Sequence, residues 1–210
     1  MEESINNGSR DFEEHVWVEA KASLPPSLSE DDPRLGVFCS SAIYRDQFYP
    51  CRDPSTMTNC EDERVFVRRM RRSAGRKWQK KLVLTTKRIR LNPNRPTRHS
   101  PYIISAHSTR VGPANCTLLL KRAGASDTKQ SHTEVLKTRK TYRKMVGDSI
   151  VIIHIDDAVL TGKIVKAVIE FGTDPVKQTF LDSAAATLVT VFNELGIKRS
   201  EMLTKTRCDL

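Results

Sequence analysis

No run of this chain approaches the ~20 apolar residues that a membrane-crossing helix needs. Aromatic side chains make up only 6% of its 210 residues, and hydrophobic residues of all kinds 38%. So low an apolar content argues against a core packed from end to end and leaves one that must be local. Catalytic signatures are also missing: there is no P-loop, no G-x-G-x-x-G, no G-x-S-x-G and no H-E-x-x-H. The RNA-recognition aromatics, the GXXG loop and zinc-finger spacings are absent too. Five cysteines (Cys39, Cys51, Cys60, Cys116, Cys208) include no close C-x₂₋₄-C pair. Cys39, Cys51 and Cys60 with His99 or His107 therefore make a poor zinc set, and reduced thiols are expected. The start, Met1-Glu2-Glu3-Ser4, is acidic and polar, unlike a signal or transit peptide. These absences point to a non-enzymatic protein of nucleus and cytoplasm, without cofactor or metal.

One further absence is local. Residues 64–99 contain no acidic side chain and fourteen basic ones. The net charge of +10 divides into −9 over residues 1–63, +14 over 64–99, +7 over 100–147 and −2 over 148–210. Like charges at that density repel one another and call for a counter-ion or a partner. Arg68, Arg69, Arg71, Arg72, Arg76, Lys77, Lys80, Lys81, Lys87, Arg88, Arg90, Arg95 and Arg98 are the candidate nucleic-acid-binding residues. Trp78 is a candidate stacking platform for an unpaired base. The paired clusters Arg71-Arg72, Arg76-Lys77 and Lys80-Lys81 also resemble a nuclear-import signal, which would make an import receptor a second partner. An assembly protein of matrix or coat type is the alternative. Its basic face would meet nucleoprotein or an anionic membrane, and it could self-associate as a homo-oligomer.

Periodicity predicts an α+β protein, a small mainly antiparallel sheet covered by one or two helices and preceded by an acidic, partly disordered arm. The expected divisions are an arm over 1–63, a basic segment with short strands over 64–99, a scaffold over 100–200 and a tail over 201–210. Leu24-Pro25-Pro26 and Asp31-Asp32-Pro33 suggest extended chain in the arm. A capping box at Ser131 to Glu134 predicts a helix over 132–146, stopped by Gly147. Ser149 to Ile155 reads as a buried strand turned by Asp156-Asp157. Gly162 to Phe171 follows as a hairpin partner with Val165, Ala167, Ile169 and Phe171 on one face and Lys166 and Glu170 on a face half open to water. A helix from Pro175, ended by Gly196, places Phe180, Leu188 and Phe192 on its apolar stripe. His154 is expected as a core histidine. Asp156-Asp157 are expected as turn residues rather than metal ligands.

Overall fold

The computed structural model describes residues 12–49, 61–72, 77, 82–91, 101–111, 118, 120, 133–159, 161–172 and 176–203. Eight antiparallel strands dominate: β1 (Phe12–Ser23), β2 (Val37–Tyr49), β3 (Glu61–Arg72), β4 (Leu82–Leu91), β5 (Tyr102–Val111), β6 (Thr133–Val146), β7 (Ser149–Ala158) and β8 (Gly162–Phe171). They close into a barrel in the order β1-β5-β4-β3-β2-β6-β7-β8, with β8 returning to β1. Closure pairs both sides of every strand, so no sheet edge is left to aggregate. The long helix among the described residues, α1 (Gln178–Glu194), lies against the outside of β1 and β8.

This architecture overturns the expected small sheet under helices. The supposed arm supplies two full strands. Val16, Val18, Ala20 and Ala22 alternate with polar residues along β1 and are all buried. Their neighbours are β5 on one side and β8 on the other, with Val18 opposite Ile103 and Ile169. The proline-containing link between β1 and β2 is also anchored. Leu28 and Leu35 are buried in the core, Tyr142 Oη donates to the Glu30 carbonyl at 2.6 Å, and Lys140 and Lys163 grip the Glu30 carboxylate at 2.6 and 2.7 Å. Gly36 ends that link at φ 91°, where a Cβ would run into the Arg143 carbonyl.

The expected helix over 132–146 is β6, paired with β2 and β7. Its cations fall on both faces, Lys137 and Arg139 towards the barrel interior and Lys140 and Lys144 on the outer side. Gly147, with φ 55°, opens the two-residue Gly147-Asp148 hairpin turn instead of stopping a helix. Asp156 and Asp157 do not turn the chain: β7 runs on to Ala158, and Gly162 at φ 69° follows the turn.

The main core lies outside the barrel wall. The outer faces of β1, β7 and β8 bring Val18, Ala20, Ile153, Ile155, Val165 and Ala167 against Leu181, Ala184, Ala185, Leu188, Val191 and Phe192 of α1. Alanines on both sides let the helix axis approach the sheet closely. Phe180, expected on the buried stripe, is 55% exposed; the buried stripe is set by Leu181 and its successors. Gly196, at φ 79°, closes α1 as its position suggested. Ile197 N–H donates to the Phe192 carbonyl at 2.8 Å and buries its side chain.

Candidate functional site: a charged barrel interior

With one face of β1, β7 and β8 given to α1, the alternate residues of the same strands must face into the barrel. Those residues are charged. Glu19 and Lys21 on β1, Lys166 on β8, Asp156 and His154 on β7, Lys137 and Arg139 on β6, Asp46 on β2 and Arg68 on β3 form one internal belt. Glu19, Asp46 and Arg139 are buried, Asp46 completely. An eight-stranded barrel is just wide enough to be filled by side chains or to hold one small ligand.

Each carboxylate in the belt is shared by two cations. Glu19 holds Lys21 at 3.0 Å and Lys166 at 3.1 Å, and also accepts from Trp17 Nε1 at 3.1 Å. Asp46 takes a two-pronged contact from Arg68, at 2.6 and 2.7 Å, with Lys137 at 3.0 Å. Asp156 takes the same contact from Arg139, at 2.5 and 2.6 Å, with Lys137 at 3.7 Å. Such forks fix guanidinium groups in plane and direction. Tyr44 adds to this, its ring centroid lying 5.0 Å from Arg68 Cζ and 5.3 Å from Arg139 Cζ.

Five cations thus share three carboxylates among the described residues, leaving an excess of positive charge among largely buried side chains. The ionisation of the belt reflects it. Burial, reinforced by the charge of Arg139, pushes Lys137 down to about 8, and burial likewise pushes Lys166 down to about 8 in spite of Glu19. Asp46 and Asp156 are held far below the usual carboxylate range: desolvation opposes this, but Arg68 and Arg139 outweigh it. His154 is pushed down to about 2 by burial and then by Arg139 and Lys166, so it is neutral at any ordinary pH. It pairs with Thr141 Oγ1 through Nδ1 at 3.1 Å, an inward-facing histidine rather than the expected core one.

Few of the residues singled out from sequence have side chains among the described ones. Arg68 lies inside the barrel, bound to Asp46, and is no part of an outer patch. Arg71 is half-buried on β3 and Lys77 is exposed. Arg69 and Arg72 belong to β3, and Lys87, Arg88 and Arg90 to β4, but their side chains lie outside the described residues. So do Arg76, Trp78, Lys80, Lys81, Arg95 and Arg98 altogether, as well as Cys51, Cys60 and His99. Among the described residues no group of three or more His, Cys, Asp or Glu is placed to hold a metal ion. In a separate concavity of about 320 Å³ on the outer wall, lined in part by Glu30, Asp31, Asp32, Phe38 and Tyr142, the Glu30 carboxylate is held by Lys140 and Lys163 and that of Asp32 by Arg34.

Sequence reasoning missed Glu19, Lys21, Asp46, Lys137, Arg139 and Lys166. Their signal is period-two charge between small apolar residues, as in Val16-Trp17-Val18-Glu19-Ala20-Lys21-Ala22.

No protein-family model and no curated protein matches the chain by sequence. Solved structures do match it in shape. The PH1819 protein of Pyrococcus horikoshii OT3 aligns at TM-score 0.59 and 21% identity, over 89% of this chain and 92% of that one. The PH1012 protein of the same organism aligns at 0.57 and 16%, over 89% and 93%. A Vibrio parahaemolyticus protein described as a "putative adenylate cyclase" aligns at 0.52 and 12%, over 90% and 93%. These likenesses are of fold. Because one of them carries an enzyme's name, they lend no support to the expectation of a non-catalytic protein.

Proposed function

We propose that the barrel receives an oligophosphate, in the first instance the triphosphate of a nucleotide, and hydrolyses one of its phosphoanhydride links, water forming the new P–O bond as the shorter phosphate leaves. The observation that carries this reading is the excess of five cations over three carboxylates on the inner wall. A linear chain of phosphates complements in charge the net positive inner wall of an eight-stranded barrel. Arginines already braced by carboxylates need little reorganisation as charge develops on a transferred phosphoryl group, the arrangement that electrostatic catalysis favours. The name of the Vibrio protein denotes an enzyme that consumes a nucleoside triphosphate, in keeping with this ligand class.

The nucleic-acid reading joins this one at one rim. β3 ends and β4 begins where the Gly147-Asp148 turn also lies, and the sequence between them carries Arg76, Lys77, Lys80 and Lys81. The 5′-triphosphate end of an RNA chain would set its phosphates in the belt and its backbone along that segment. Nuclear import through the same segment stays a proposal of the sequence. The matrix- or coat-like reading has no observation in its favour.

The test is release of phosphate or pyrophosphate from ATP and from 5′-triphosphorylated RNA, with and without magnesium. Turnover is expected with at least one substrate, together with its loss in Lys166→Met. No turnover and no binding of either substrate would reject the reading.

A further inference from the structure

Resting on the oligophosphate reading, we infer that the rim beside the Gly147-Asp148 turn binds the base of a nucleoside, so that the ligand is a nucleoside oligophosphate and not a bare phosphate chain. The alternation that turns Arg139 and Thr141 inwards continues without a break along β6 to Met145, and along β7 from Asp156 and His154 back to Ile150. Met145 and Ile150 are cross-strand partners, and Val37 of β2 pairs with Arg143 on the same inward face. Val37 is 72% exposed, Met145 59% and Ile150 41%. Three large apolar side chains therefore stand open to water on the inner lip of a barrel whose next layer down is charged.

A phosphate chain gives such residues nothing. An aromatic base covers them, since burying apolar surface is favourable wherever the contact is made, and a methionine thioether suits a flat ring. Ile150 lies four residues above His154 on β7, about 13 Å along a strand. A sugar and base extending from phosphates in the belt cover that distance. The exposed Arg143, on the same inward face between lip and belt, is placed for the sugar or the first phosphate.

The experiment measures the affinity of inorganic tripolyphosphate, ATP and a 5′-triphosphorylated ribo-oligonucleotide for the full chain and for the double variant Met145→Ser, Ile150→Ser. Both positions are exposed, so the variant keeps its fold, checked by unchanged melting. ATP or the oligonucleotide is expected to bind the unaltered chain about tenfold more tightly than tripolyphosphate. The variant should lose that advantage while its tripolyphosphate affinity is unchanged. Whichever of ATP and the oligonucleotide binds more tightly tells a free nucleotide from a chain end. Equal affinity for all three ligands in the unaltered chain, or an equal loss for all three in the variant, overturns the lip as a base site and leaves the belt standing. No binding of any of them overturns the belt, and the lip with it.

Discussion

Tyr44 sits between two guanidinium groups that carboxylates also hold, so its ring defines the gap between Arg68 and Arg139. Away from water a cation over an aromatic face contributes up to about 2 kcal/mol. Tyr44→Leu should therefore weaken tripolyphosphate binding by roughly five- to thirtyfold, whereas Tyr44→Phe, which keeps the ring, should leave it near the original value. Titration calorimetry on both variants checks this; equal losses would mean that the hydroxyl, not the ring, matters. His154 makes a second prediction at this scale. Folded, it stays neutral down to about 2 through burial, while an unfolded chain takes up a proton near 6.5. Below that pH the unfolded state binds the extra proton, so stability falls as pH drops. The loss from this residue is on the order of 1–2 kcal/mol between pH 6.5 and 5. His154→Gln should flatten that limb of urea-unfolding curves measured at the two pH values; an unchanged limb would assign the acid sensitivity elsewhere.

At the scale of elements, α1 divides into a face that holds the barrel and one that does not. Leu188→Ala, at a fully buried position, should cost about 2–5 kcal/mol, and Phe180→Ala, 55% exposed, less than about 1 kcal/mol. Denaturant midpoints of the two variants test that ranking, which reverses the expectation drawn from the four-residue spacing of Phe180. The contrast shows where the sequence was legible. β7 was readable as a continuous apolar run, and β8 and α1 because their apolar residues alternate or recur against one shared core. The faces of β8 were also separated correctly, but the side bearing Lys166 was taken for one half open to water. Polar residues usually do face solvent; here a closed barrel encloses them, and nothing local in β8 announces closure. β6 misled for the same reason: with Lys137, Arg139 and Arg143 on an inner face and Lys140 and Lys144 on the outer one, charge has no single side and the strand period is hidden. β1 and β2 were masked by the acidic residues and prolines around them, whose partners lie more than a hundred positions away, as in Glu30 with Lys140 and Lys163. Of the site, only Arg68 was singled out, and for another purpose.

At the scale of the whole molecule, the two kinds of positive charge in this chain respond differently to pH. The basic segment is mostly arginine, which stays charged throughout the neutral and alkaline range. The barrel interior depends on Lys137 and Lys166, each pushed down to about 8 chiefly by burial. An anion in the belt favours their charged forms, so above pH 8 its binding must be accompanied by proton uptake. Each lysine then contributes about a tenfold loss of affinity per pH unit, or roughly a hundredfold for the pair between pH 7 and 9. The effect on stability has the opposite sign. Because both folded values lie below the unfolded value near 10.4, the charged lysines destabilise the empty barrel below pH 8, and that cost fades as pH rises towards 10. Tripolyphosphate should therefore raise the melting temperature markedly at pH 7 and little at pH 9. Lys166→Arg, which keeps its charge, should flatten the pH profile of binding by about half on the logarithmic scale. Contacts made only on the basic segment would instead be nearly independent of pH, because arginine keeps its charge, and would weaken steeply with salt through counter-ion release. A flat pH profile combined with a steep salt slope would move the binding site from the barrel to its rim.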